Sequence, residues 1–122
     1  MAWGAKDTSA TLLTSIVGTE QFFNVFPQLT PGELIHCEVE LDSVGSPTSE
    51  LRVNVYGTLD DSTENWDDTP LMSFVIANAP DPNKVSFSMS NIYKFRIGVI
   101  REGGSDTITS ADFSFRRDNV SV

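Results

Sequence analysis

The stretch Leu34 to Leu41 constrains the fold more than any other part of the chain. Ile35, Cys37, Val39 and Leu41 alternate with His36, Glu38 and Glu40. Strict period-two alternation places one set of side chains on a buried face and the other in water, which is the pattern of a half-buried β-strand. The same pattern recurs from Tyr93 to Arg101, where Tyr93, Phe95, Ile97 and Val99 share a face and Lys94 and Arg96 the other. It recurs again from Leu51 to Leu59, with Leu51, Val53, Val55 and Leu59 inward and Arg52, Asn54, Tyr56 and Thr58 outward. Shorter strands are predicted over Thr11–Val17, Gln21–Phe26, Leu71–Ala77 and Val85–Met89, and a last strand contains Ala111, Phe113 and Phe115.

Turn signals separate these runs: Pro31-Gly32, the Gly- and Pro-containing loop from Val44 to Ser49, Ala79-Pro80-Asp81-Pro82, Ser90-Asn91, and Glu102-Gly103-Gly104-Ser105-Asp106. No window carries a convincing helical period. About eight short strands at such intervals predict an all-β, two-sheet antiparallel β-sandwich, Ig-like or jelly-roll. The Tyr93 that follows Ser90-Asn91 leans Ig-like, because such a tyrosine often ties a sandwich corner through a hydroxyl-to-backbone bond. The chain has 122 residues, enough for one domain that buries about two-thirds of its unfolded surface. The organisation expected is an N-terminal arm over residues 1–9 and a single sandwich over 10–122.

Composition excludes several functions. A net charge of −9 disfavours nucleic acid as a partner, since phosphate binding needs a basic surface. Six of the eight Lys and Arg fall at or after Lys84, while carboxylates crowd from Glu33 to Asp68; a split of this kind lets like copies dock acidic face to basic face. No apolar run approaches the roughly 20 residues of a membrane helix, and the N-terminus lacks the basic and apolar regions of a secretory signal. The single cysteine, Cys37, allows neither an intrachain disulfide nor a cysteine-based zinc site.

Catalytic constellations are missing as well. His36, the one histidine, and Cys37 are neighbours in sequence but point to opposite faces of a strand, so they cannot form a nucleophile–base pair. There is no nucleophile elbow and no phosphate-cradling glycine loop. The expectation is a non-enzyme without cofactors. The one weak metal candidate is calcium on Asp60, Asp61, Glu64, Asp67 and Asp68, whose spacing does not match an EF-hand loop; the alternative is a solvated loop that guards an edge.

Two features point to a docking surface. Gln21-Phe22-Phe23-Asn24-Val25-Phe26 is apolar on both faces, so one face needs cover from a partner or from the chain's own N-terminal segment. Ile100 falls on the face of Lys94 and Arg96. The interface residues expected are Trp3, Phe22, Phe23, Phe26, Lys94, Arg96 and Ile100. The aromatic residues Trp3, Tyr56 and Trp66 also fit a sugar-binding surface, although Trp66 fits better as a lid folded onto the core.

Six stretches taken together carry a resemblance: Ala2-Trp3-Gly4, Val55-Tyr56-Gly57-Thr58-Leu59-Asp60, Trp66-Asp67-Asp68-Thr69-Pro70, Asp81-Pro82-Asn83-Lys84, Tyr93-Lys94-Phe95-Arg96-Ile97-Gly98-Val99 and Thr109-Ser110-Ala111-Asp112. With them the chain resembles small β-sandwich virion proteins of tailed bacteriophages, marine ones especially. The resemblance implies a structural protein of the virion, made in the host cytoplasm. Its expected form is a capsid decoration (cement) protein that binds the major capsid protein or other virion proteins as a homo-oligomer and stabilises the shell. A neck or tail component is the first alternative, and a carbohydrate-binding module for host-surface attachment the second. The resemblance carries no catalytic residues.

Overall fold

In the computed structural model every run read as a strand contributes one: β1 (Leu12–Ile16), β2 (Gln21–Phe22), β3 (Ile35–Asp42), β4 (Glu50–Thr58), β5 (Met72–Ile76), β6 (Asn83–Met89), β7 (Lys94–Gly103) and β8 (Ile108–Arg117). The structure describes residues 4, 6, 12–42, 50–61, 65–77, 83–103 and 107–118. Trp3, Glu64, most of the expected arm, and the loops at 43–49, 78–82 and 104–106 lie outside the described residues.

The strands form two four-stranded sheets, in the orders β1-β8-β3-β6 and β2-β7-β4-β5. All pairings are antiparallel. The chain therefore runs as one long hairpin, with β1 beside β8, β2 beside β7, β3 beside β6 and β4 beside β5. That hairpin is rolled so that β8 meets β3 in one sheet and β7 meets β4 in the other. This is the jelly-roll winding, two Greek keys in eight strands, and it decides between the two topologies that strand count left open. The Ig-like lean from Tyr93 is corrected: its hydroxyl donates to Asp61 Oδ1 and accepts from Gln28 Nε2 at 3.1 Å. Tyr93 ties two loops through side chains rather than a sandwich corner through the backbone.

Alternation fixes which face of each strand is dry. Ile35, Cys37, Val39 and Leu41 are buried, and register sets Cys37 beside Phe115 and Phe87, and Val39 beside Phe113. From the opposite sheet come Leu51, Val53, Val55, Phe95, Ile97 and Val99, all fully buried. Aromatic contacts fill the middle and one edge. Phe23 lies 5.5 Å from Phe113, Phe113 5.4 Å from Phe115, and Phe74 of β5 stacks on Phe87 of β6 at 5.1 Å.

Alternation fails at two places, each for a local reason. Leu59, expected inward, is 88% exposed. β4 ends at Thr58, whose hydroxyl accepts from the Asp60 amide at 3.0 Å and donates to the Asn65 carbonyl at 2.7 Å; the chain bends away before Leu59 can turn in. In β1, Ser15 adopts a positive φ of 53°, uncommon for a residue with a β-carbon. Beyond it Ile16 is fully buried. The turns read from sequence also appear: Gly32 takes φ 84° after Pro31, and Asn91 φ 57° after Ser90.

Candidate functional site on the outer face of the second sheet

β7 sends Lys94, Arg96, Gly98 and Ile100 to the outer face of its sheet, and β4 sends Arg52, Asn54, Tyr56 and Thr58. Register sets Arg96 beside Tyr56, and Gly98 between Asn54 and Phe22. Gly98 lacks a side chain because two others occupy its place. A Cβ there would stand 2.5 Å from Glu20 Oε2 and 2.8 Å from the Phe22 ring. The Glu20 carboxylate fills that hollow and accepts from Asn54 Nδ2 at 3.0 Å and from the Tyr56 hydroxyl at 2.9 and 3.0 Å. Burial, then the bond to Glu20, pushes the Tyr56 hydroxyl above its ordinary pKa. Asn54 also accepts from Ser73 Oγ at 2.8 Å, which carries the network to β5.

Beside this network the Arg96 guanidinium lies 3.7 Å over the Phe22 ring and 5.1 Å from that of Trp66. Tyr56 meets Phe22 edge-on at 5.9 Å, and Phe26 meets Trp66 at 5.4 Å. The result is a guanidinium walled by aromatic rings, an arrangement that holds it by cation–π attraction and fixes its plane. Arg96 Nε is shielded and has no hydrogen-bond partner among the described residues. Burial lowers the pKa of Arg96, while the charge of Glu20 opposes that shift. Replacing Gly98 with alanine must displace either the Glu20 carboxylate or the Phe22 ring. The expected cost is about 1–3 kcal/mol, typical of overpacking, read as a lower urea midpoint at unchanged m-value.

The structure sorts the expected interface residues into three groups. Phe22, Phe26, Arg96 and Ile100 are half-buried on or beside this face and partly open to solvent. Phe23 is not on it: at 1% exposure it is core, because β2 ends at Phe22 and the Phe23 amide bonds the Ile97 carbonyl at 3.0 Å. The cover expected from a partner comes from its own sandwich. Lys94 keeps the predicted direction but is 4% exposed, since the acidic loop folds over it. Its Nζ donates to the Asp61 carbonyl at 2.8 Å and sits 5.6 Å over the Trp66 ring. Trp66 is thus a lid, resting on the outer face of a sheet rather than on the core between sheets. Trp3 lies outside the described residues.

The acidic loop is stitched down as well. The Asp67 amide bonds the Gly57 carbonyl at 3.0 Å, and the Leu71 amide that of Val55 at 2.7 Å. Asp60 accepts from Asn65, and Asp61 from Tyr93. The calcium candidate is not assembled: among the described residues no group of three or more His, Cys, Asp or Glu could hold a metal ion. Glu64 lies outside them. His36 and Cys37 face opposite ways, His36 exposed and Cys37 buried.

An open cleft of about 520 Å³ adjoins the stitched loop at one end of the sandwich. Leu71, Met72, Met89 and Ile92 supply apolar walls and Gly57 the floor. Leu59 and Leu71, 88% and 51% exposed, stand at its side. Two parts of this site were not read from sequence: Glu20, which no motif marks, and the cleft. A glycine inside a strand does signal close approach by another group, and Gly98 and Gly57 mark the two places. Comparisons with protein-family models, with curated proteins and with solved structures find no match for the chain.

Proposed function

We propose that this chain is a non-enzymatic virion structural protein, a capsid decoration protein that seats on the major capsid protein through the outer face of its second sheet. The observation that supports this reading is the aromatic-walled Arg96. Arg, Trp and Tyr dominate the energetic centres of protein–protein interfaces, and a guanidinium held in one plane binds a carboxylate or carbonyl with little ordering cost. Phe22 and Trp66 flank it, Phe26 packs on Trp66, and farther along the same face half-buried Ile100 and 41%-exposed Val75 lie on either side of Arg52.

The jelly-roll winding serves both viral capsid and sugar-binding domains, so the fold does not choose between them. The side chains favour a protein partner. The Tyr56 hydroxyl is spent on Glu20, and the Trp66 ring is engaged by Phe26, Lys94 and Arg96. Sugar stacking needs free ring faces.

The deciding measurement is copy number in purified virions by quantitative mass spectrometry against the major shell protein. A ratio of the same order as the shell subunit is expected. A ratio far below it replaces decoration with a neck or tail position, and absence from particles overturns the virion reading. In shell-binding assays Arg96→Ala is expected to weaken attachment by more than tenfold, since interface anchors cost about 2 kcal/mol or more when truncated.

A further inference from the structure

The opposite sheet carries a second polar site, on a face remote in topology from Arg96. A cavity of about 310 Å³ opens on the outer side of β3, β6 and β8. His36 and Glu38 of β3, Lys84 of β6, Ser114 and Arg116 of β8, and Lys6 of the N-terminal segment line it. Register makes His36 and Arg116 direct neighbours, and likewise Glu38 and Ser114. The N-terminal segment is clipped to β8 on both sides of one residue. The Gly4 amide donates to the Arg117 carbonyl at 2.7 Å, and Arg116 Nη1 donates to the Gly4 carbonyl at 3.1 Å. That clip brings Lys6 to the rim and fixes Arg116.

Carboxylates hold some cations of the chain closely but not those of this cavity. Arg52 and Arg117 each hold a carboxylate, at 2.7 and 2.8 Å. Arg116 bonds a backbone carbonyl instead, and neither Arg116 nor Lys6 has a carboxylate within 4.0 Å among the described residues. Lys84 reaches Glu38 only at 3.6 Å. A chain with 17 carboxylates and eight Lys and Arg has ample acidic partners, yet three of those eight line this cavity, where Glu38 is the one carboxylate among the described lining residues.

We propose that this cavity binds a phosphate group. Donors arrive from three separate segments: the ammonium groups of Lys6 and Lys84, the Arg116 fork and the Ser114 hydroxyl. A planar carboxylate offers two oxygens in one plane, whereas a tetrahedral oxyanion presents four in separate directions and so meets donors that converge from different sides. Glu38 selects among oxyanions. It repels sulfate, which carries no proton at neutral pH, and accepts a hydrogen bond from phosphate that has kept one.

The test is calorimetric titration of the full chain with inorganic phosphate at low ionic strength, with sulfate and a sugar phosphate monoester as the other arms. Saturable one-to-one binding of phosphate is expected, stronger than that of sulfate. Arg116→Ala and Lys84→Ala should each weaken it at least tenfold with unchanged melting temperature, and Glu38→Gln should narrow the gap between phosphate and sulfate. Tighter binding of the monoester assigns the site to an esterified phosphate; tighter binding of the free ion assigns it to inorganic phosphate. Absence of saturable binding overturns the proposal, as does binding that survives both cation substitutions. Arg116→Leu and Lys84→Met, which keep the packing of the side-chain stems, replace the corresponding alanine variant if it fails to fold.

Discussion

Phe23→Asp is expected to leave no folded domain. The Phe23 ring is 1% exposed and packs 5.5 Å from Phe113, between the two sheets. Truncating a buried phenylalanine to alanine costs about 3–5 kcal/mol, out of a total stability of about 5–15 kcal/mol for a domain of this kind. Aspartate adds an unpaired charge in an apolar site, worth several more kcal/mol even after relaxation. Circular dichroism should show no cooperative thermal transition, and Phe23→Leu should keep the transition at a lower midpoint. A folded Phe23→Asp variant that has only lost assembly would move Phe23 out of the core and onto an interface.

The second large effect comes from alkaline pH. Burial pushes the Cys37 thiol from its ordinary 9.0 up to about 12. The unfolded chain exposes the same thiol, which ionises near the ordinary value. Below pH 9 both states hold the proton and the contribution is complete. Between pH 9 and 12 the unfolded state releases it while the folded state does not, so stability falls as pH rises. At about 1.4 kcal/mol per unit, the limit is on the order of 4 kcal/mol by pH 12. Tyr56 and Tyr93 act in the same direction: burial leads for Tyr56, and the hydrogen bond to Asp61 for Tyr93. Urea midpoints should therefore decline steadily above pH 9, with a shallower slope in Cys37→Ala. In the native protein at pH 8 a thiol reagent should find Cys37 unreactive until denaturant is added.

Local pattern carried the fold as far as local pattern can. Alternation from Ile35 to Leu41 names a dry face that the structure buries completely, because a strand's two faces follow from its backbone alone. The winding was not legible. Whether β8 lies beside β1 and β3 depends on pairings between distant parts of the chain, and neither Ig-like nor jelly-roll order leaves a trace in strand count. The same limit governs the candidate site. Sequence pattern places Arg96 and Phe22 each at the surface, but their stacking exists only because β2 pairs with β7. Lys94 shows the converse: its direction was correct and its burial was not, since the loop that covers it returns from Asp61 and Trp66.

The rolled-hairpin winding also has a consequence in time. The first strand and the last are neighbours in one sheet, so β1 finds its partner only after β8 has left the ribosome. β3 likewise waits for β8 to fill the space beside it. Only the β4–β5 hairpin has a partner close behind it in the chain. Topologies dominated by such distant pairings fold slowly, and an unfinished jelly roll exposes the edges of β1 and β3 to other chains. The chain therefore spends its most aggregation-prone moments during its own synthesis, and its surplus of negative charge acts to keep nascent copies apart while they wait.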